Sequence, residues 1–314
     1  MSEVTKKRVF LTGASGMVGK NILENINTQK FEVLTVPSSK LDLTNYNDVF
    51  DYLKTNKPDI ILHCAGKVGG IQANMKDLYG FFTENLIMGV NLVKAAKELE
   101  IKRFLNLSSS CAYPREAKNP LTEKQILTGE LEPTNEGYAL AKLSVLKMCE
   151  YITNFYEGYM YKTLIPCNLY GRWDKFDPKH SHMIPAIIKK IYEVKINNEK
   201  QVEIWGDGTA RREFMYTGEL AKLIVKSIEN FEILPPVMNI GLGYDYSINE
   251  YYKVVADVIG YKGNFVHDLS KPVGMKQKLL DISYQKKLGW ISDLSLKSGI
   301  EKTFDFYLER CIND

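Results

Sequence analysis

No run of apolar residues in the 314-residue chain reaches the ~18 that a membrane-spanning helix requires, so no membrane partner is expected. The opening stretch "MSEVTKKRVFLTG" passes from polar residues directly into a strand-like run. It lacks the apolar core of a secretory signal, and a cytoplasmic location is the expectation. Cysteine is sparse. The five (Cys64, Cys111, Cys149, Cys167 and Cys311) are odd in number, widely separated and without a CxxC pair. That spacing favours neither a disulfide framework nor a zinc site. Charge of one sign is also lacking: 41 Lys and Arg face 38 Asp and Glu, a net of +3, and the lysines are dispersed. This excludes a nucleic-acid footprint but leaves room for an anionic small molecule. Histidine is limited to four residues. Two of them form "HSH" with His180 and His182, yet no other ligand type clusters there, so no metal is expected. Internal repeats and low-complexity segments are absent.

What remains is a globular composition, 45% hydrophobic and 25% charged. Short apolar runs alternate with helical patterns through the first half. Arg8 to Gly13, Glu32 to Val36, Asp59 to Ala65, Arg103 to Ser109 and Tyr161 to Gly171 read as buried strands. Tyr46 to Thr55, Phe81 to Leu99 and Tyr138 to Phe155 read as helices. Near-continuous apolar strands separated by helices indicate a parallel sheet covered on both faces. The fold class is therefore α/β, a Rossmann-like doubly wound parallel sheet with a smaller α/β C-terminal lobe. Residues 1–170 form the expected dinucleotide-binding domain, and the chain rejoins its sheet within about 215–260. Residues 171–214 and 261–314 form the expected substrate lobe.

The first strand runs into "GASGMVG", with Gly13, Gly16 and Gly19 before a helix. Glycine permits a tight turn and a close backbone approach to a pyrophosphate, which then faces the free N–H groups of the helix N-terminus. The GxxGxxG spacing is less specific than GxGxxG, but the strand–turn–helix context is the one required. An acidic residue after the second strand would hold the ribose of NAD, and a basic one the 2′-phosphate of NADP. Here the stretch is "TVPSSKLDL". Ser38, Ser39 and Lys40 suit a phosphate, while Asp42 belongs to "LDLTN", under the adenine. The balance leans to NADP and leaves NAD open.

"SSSCAYP" and "YALAK" carry the reactive groups. Tyr138 and Lys142 stand at i and i+4 and share a helix face. A free phenol titrates near ~10, and a neighbouring ammonium draws it toward the working range. A serine hydroxyl at the preceding strand end can hold a carbonyl that receives hydride. In extended geometry Ser109 and Cys111, two residues apart, face the same side. Taken singly, a cysteine here is a small buried hydrophobe and a histidine a structural residue.

Together these stretches, with "AGKVGGIQAN", "LEPTNEGYALAK", "NLYGRWDKFDP", "SHMIPA", "WGDGTARREF" and "YKGNFVHDLSKPVG", make the chain resemble the extended short-chain dehydrogenase/reductase family, in its GDP-L-fucose synthase branch. The resemblance spans nearly the whole chain. It implies an NADP-dependent enzyme that epimerises C3 and C5 of a GDP-4-keto-6-deoxy sugar and reduces C4. It makes Ser109, Tyr138 and Lys142 the reductase triad, and Cys111 and His182 the epimerisation pair. It assigns Gly13, Ser15, Gly16, Met17, Val18 and Gly19 to the cofactor loop and Ser38, Ser39 and Lys40 to the adenosine end. On the nicotinamide side it places Leu107, Ser108, Ser110, Lys142, Pro166, Asn168, Leu169 and His182. Lys190, Trp205, Arg212, Asn168 and Lys278 become substrate contacts. A homodimer through a four-helix interface, including Phe81 to Leu99 and Tyr138 to Phe155, is implied as well.

Three positions depart from the family pattern. Ser15 and Ser38 stand where it has arginines, and Val273 stands where "SKPDG" has its aspartate. These departures keep three readings open. One is the bifunctional epimerase–reductase. Another is a C4 reductase that acts on a GDP-4-keto-6-deoxy-heptose after a separate epimerase. The third is an NAD-dependent nucleotide-sugar 4-epimerase or dehydratase. A catalytically silent NADP sensor is disfavoured by the intact Ser–Tyr–Lys set.

Overall fold

The computed structural model describes residues 6–177, 181–271 and 275–311. Its first strands are β1 (Lys7–Thr12), β2 (Phe31–Leu34), β3 (Ile60–His63), β4 (Arg103–Leu107) and β5 (Met160–Pro166). Then come β6 (Asn168–Tyr170), β7 (Gln201–Trp205), β8 (Arg211–Arg212), β9 (Phe214–Tyr216) and β10 (Val237–Ile240). The last are β11 (Tyr246–Ser247), β12 (Asn264–Asp268) and β13 (Gln277–Lys278). The helices are α1 (Met17–Asn25), α2 (Tyr46–Asn56), α3 (Ile71–Lys76), α4 (Leu78–Glu98) and α5 (Glu136–Phe155). They continue with α6 (Met183–Ile196), α7 (Thr217–Glu229), α8 (Ile248–Ile259), α9 (Ser283–Lys287) and α10 (Leu296–Cys311).

Six strands form one parallel sheet in the order β10-β5-β4-β3-β1-β2. The apolar runs are continuous because both faces are covered, and successive residues alternate between two cores. Val9 and Leu11 enter one core and Phe10 the other; Ile60 and Leu62 separate from Ile61 in the same way. Helices α1 and α7 close the first face, and α2, α4 and α5 the second. The chain proceeds from β1 outward to β2, then crosses to β3 on the other side of β1. That reversal opens a crevice at the carboxyl ends of β1 and β3, where nucleotides bind in such sheets.

The stretch Tyr161 to Gly171, read above as one strand, is two. Strand β5 ends at Pro166, and the Cys167 N–H donates to Ile240 O at 2.9 Å. The next three residues, β6, leave the sheet and pair with β9. A mostly apolar run hides this change of partner, because β5 is buried and β6 follows it after a single residue.

A third apolar core holds α6, α8, α10 and β7. Strand β7 pairs with β12, and β8 lies between β11 and β13. Helix α8 has clear boundaries. Ser247 and Glu250 form a capping box at its start, and Gly260 stops it with a left-handed φ of 72°. Its buried face, Tyr251, Tyr252, Val255, Ala256 and Ile259, packs in this third core and away from the sheet.

Candidate active site

The cradle is set by steric exclusion. Gly13 has φ +70°, and a Cβ there would lie 2.7 Å from the Ala65 nitrogen at the end of β3. A Cβ on Gly19 would lie 2.2 Å from the Gly13 carbonyl oxygen. Only glycine lets α1 start this close to the turn. Gly16 is the N-cap and gives no side-chain cap, and the first turn carries no acidic residue. Backbone N–H groups at the helix start therefore suit an anion. Ser15 is exposed, and Met17 and Val18 open the helix. Ser38, Ser39 and Lys40 form a turn after β2, closed by the Lys40 N–H to Pro37 O bond of 2.9 Å. Asp42 is occupied: its carboxylate accepts from the Thr44 N–H at 2.8 Å and hydroxyl at 2.7 Å. The acidic residue nearest this turn is thus committed to local structure.

At the end of β4 the backbone does not stay extended, contrary to the expectation for Ser109 and Cys111. The strand ends at Leu107, and Ser110–Ala112 form a single 3₁₀ turn capped by Ser109. The Cys111 N–H donates to Ser109 Oγ at 3.2 Å. The two side chains share a site through this cap and not through strand periodicity. Ser108 and Ser110 are buried, and Ser108 Oγ has no hydrogen-bond partner. An orphaned buried hydroxyl beside the cradle is what a bound polar group would satisfy.

Tyr138 lies in the first turn of α5, with Lys142 one turn on. The Lys142 ammonium is 5.8 Å from the Tyr138 ring centroid and donates to Leu107 O at 3.1 Å. Burial lowers the Lys142 pKa to about 8, partly offset by Cys64. Burial raises the Tyr138 phenol well above its ordinary range; negative charge on Cys111 adds to this, and a hydrogen bond with Ser109 opposes it. The ammonium does not draw the phenol down, as the i, i+4 spacing led us to expect, because Lys142, lowered by the same burial, is already neutral where the phenol titrates. The result is a tyrosine held protonated, the state required of a proton donor.

Cys111 Sγ accepts from Asn135 Nδ2 at 3.1 Å and faces Lys278 Nζ at 3.8 Å. Cys64, Cys149 and Cys167 are raised by burial. His63, buried against Thr12, is lowered to about 3 by burial and the Lys142 charge, and is a neutral structural residue.

His182 caps α6 and is half-buried, with Nδ1 3.1 Å from Asp174 Oδ1. Burial opposes its charge, but the hydrogen bond and charge of Asp174 prevail and raise its pKa above the ordinary value. Asp174 itself is almost wholly buried, and its Oδ2 has no partner. Neither Asp174 nor Asn135 was singled out from sequence. The only available signal was an acidic residue eight positions before a histidine. Replacing Asp174 by Asn should move the His182 titration to lower pH, because burial would act without the carboxylate. The imidazolium is stabilised by the native pair up to the raised value. Its stabilisation is therefore full below the unfolded pKa near ~6.5 and lost as pH rises through the folded one. Imidazole NMR titration of both proteins checks this; coincident curves would remove Asp174 from the pair. His180 and Val273 lie outside the described residues. Among the described residues no cluster is placed to hold a metal.

The remaining expected contacts separate into two groups. Pro166, Asn168 and Leu169 sit where β5 gives way to β6, and Asn168 Nδ2 donates to Glu213 O at 3.0 Å. In the second lobe, Lys190 donates to Glu203 O, and Trp205 Nε1 donates to Glu203 Oε1 at 2.9 Å. Glu203 thus brings these two together. Arg212 on β8 is the register partner of Lys278 on β13, so the lobe presents two cations side by side. Lys278 reaches Cys111, and this links the lobe to the catalytic turn.

The NAD dependent epimerase/dehydratase family model matches residues 9–241. The chain is 52% identical to the GDP-L-colitose synthase of Yersinia pseudotuberculosis over 98% of this chain and 100% of that protein. It is 47% identical to the GDP-L-fucose synthase of Azorhizobium caulinodans over 96% of each. Among solved structures, MlghC, a GDP-mannoheptose C4 reductase from Campylobacter jejuni with NADP bound, superposes with a TM-score of 0.87 at 28% identity, covering 97% and 99% of the two chains. The chain is therefore an enzyme of the NAD dependent epimerase/dehydratase family, in the extended short-chain dehydrogenase/reductase branch typified by GDP-L-fucose synthase.

Proposed function

We propose that this enzyme reduces the C4 ketone of a GDP-4-keto-6-deoxy sugar with NADPH, after epimerising the carbons beside that ketone. The observation that carries the reading is the joint placement of two chemistries on one turn. Ser109 lies beside a protonated Tyr138, and Cys111 lies two residues on with two donors at its sulfur. A C4 ketone acidifies the hydrogens on C3 and C5. The Cys111 thiolate removes one, and the electron pair moves onto the C4 oxygen. His182, held protonated by Asp174, returns a proton to the opposite face. Ser109 then holds the carbonyl, and Tyr138 gives its proton to the C4 oxygen. The cofactor supplies the hydride to C4. Relatives named for L-sugars support inversion at C5, the centre that separates an L-product from a D-mannose-derived precursor.

The donor set fits NADP(H): a glycine cradle, a buried orphan hydroxyl at Ser108 and an unassigned cation at Lys40. Lys40→Glu should weaken NADPH binding about fivefold to tenfold, the effect of losing one charge-assisted contact, and leave NADH nearly unchanged. Fluorescence titration with both cofactors measures this, and equal losses would place Lys40 outside the site.

The same reading assigns 1–170 and the returning β9–β10 segment to the dinucleotide domain. It assigns 171–214 and 261–314 to the substrate lobe, with α8 added because it packs there. Trp205, Lys190 and Arg212 then serve the nucleotide. A homodimer through α4 and α5 is supported by exposed Ile87, Leu140, Tyr151 and Phe155 on those helices; sedimentation velocity tests it.

A second reading is a C4 reductase alone, acting on a heptose. It is favoured by the likeness to a GDP-mannoheptose C4 reductase. Incubating the enzyme and NADPH with GDP-4-keto-6-deoxy-mannose, with its 3-deoxy analogue and with its heptose counterpart, and reading products by NMR, separates the two. Turnover without net NADPH oxidation on every substrate would instead support a 4-epimerase or dehydratase.

A further inference from the structure

We infer that Lys278 and Asn135 are the positioning residues that prepare Cys111 as a base, and that the substrate lobe thereby supplies part of the epimerisation machinery. The inference rests on the proposed role of Cys111 and adds what makes its thiolate available.

The geometry is specific. An amide N–H at 3.1 Å and an ammonium at 3.8 Å converge on Cys111 Sγ from two separate segments. Asn135 ends the short turn Pro133–Asn135 just before α5, so it moves with Tyr138. Its Oδ1 is buried without a partner, so the side chain is free to serve the sulfur. Lys278 arrives from β13 and makes no ion pair with any described carboxylate that would draw it elsewhere.

Its position is enforced by the backbone around it. The Leu279 N–H donates to Asn119 Oδ1 at 2.8 Å, and Asn119 Nδ2 donates to Gln277 O at 3.2 Å. The Leu121 N–H donates to Leu279 O at 2.8 Å, and the Asp281 N–H to Leu121 O at 2.9 Å. The segment following the catalytic turn is therefore laced to both neighbours of Lys278. An ordinary surface lysine has no such frame.

A thiolate is stabilised by cationic and N–H donors, and only the thiolate abstracts a proton. When Cys111 takes the proton from C5, the C–H electron pair passes through the C4–C5 bond to the carbonyl oxygen. The sulfur becomes a neutral thiol, and the enolate is completed without an external reagent. The register pairing of Lys278 with Arg212 then couples nucleotide binding on β8 to the base.

The test is alkylation of the free enzyme by iodoacetamide, followed at Cys111 by peptide mass mapping, with wild type, Lys278→Met, Lys278→Arg and Asn135→Ala. Lys278→Met should slow Cys111 alkylation about 10- to 100-fold, the range expected when one charge-assisted interaction is lost. Lys278→Arg should restore most of the rate, and Asn135→Ala should slow it less than Lys278→Met does. Unfolding would accelerate alkylation and expose buried Cys149 and Cys167, so a slower reaction cannot come from a damaged fold. With sugar at saturation, solvent deuterium exchange into the substrate should slow in parallel. Unchanged alkylation with a raised sugar KM would overturn the inference and leave Lys278 as a substrate contact. Wild-type enzyme that reduces the sugar without exchange would refute the epimerase reading, while alkylation would still decide whether Lys278 governs the thiol.

Discussion

Tyr138→Phe should lower C4 reduction by about 100- to 10,000-fold, the contribution of a positioned general acid. Burial keeps the hydroxyl, which lies beside Ser109, protonated through the neutral range. Phenylalanine keeps the ring near Lys142 and removes only the proton. Cofactor binding should persist, since the cradle and Lys142 are untouched. Stopped-flow loss of NADPH absorbance on an already epimerised 4-keto substrate measures the chemical step. The pH profile adds a check. Lys142 is lowered to about 8, so its ammonium is present below that pH and lost above it. In wild type the alkaline fall in reduction should follow Lys142 and not the tyrosine. If Tyr138→Phe retains near-normal turnover, the C4 oxygen takes its proton from elsewhere.

Cys111→Ser should stop deuterium exchange from solvent into the carbons beside the ketone, again by about 100-fold or more. Serine preserves size and the cap to Ser109, because the Cys111 N–H is the donor there. A hydroxyl offered to Asn135 and Lys278 remains a hydroxyl, since its conjugate base is far less accessible than a thiolate. Reduction of an already epimerised substrate should continue, because Ser109, Tyr138 and Lys142 are intact. The two variants together form a double dissociation: one blocks hydride-linked protonation, and the other blocks enolisation. Exchange by Cys111→Ser at the wild-type rate would identify another base. A wild-type enzyme without exchange would mark Cys111 as inherited and the enzyme as a reductase only.

These two predictions draw on different kinds of information. Sequence alone determined the alternation of buried strands and helices, the glycine cradle and the i, i+4 pairing of Tyr138 with Lys142. Each depends on neighbours within a few residues, where backbone geometry fixes what meets what. That Cys111 and His182 act as a pair is a proposal that came through resemblance and not through spacing. Tertiary structure decided the rest. The change of partner at Cys167 depends on β9 and β10, which lie some way along the chain. The protonation of Tyr138 depends on burial, which raises the phenol and lowers the lysine that local spacing put beside it. Asp174 behind His182 and Lys278 beside Cys111 had no local signature. In particular, 167 residues separate Lys278 from Cys111 in the chain. Only the lacing of β13 to the segment around Asn119 and Leu121 brings that ammonium to the sulfur, because a contact between distant residues is made by packing and has no periodicity to read.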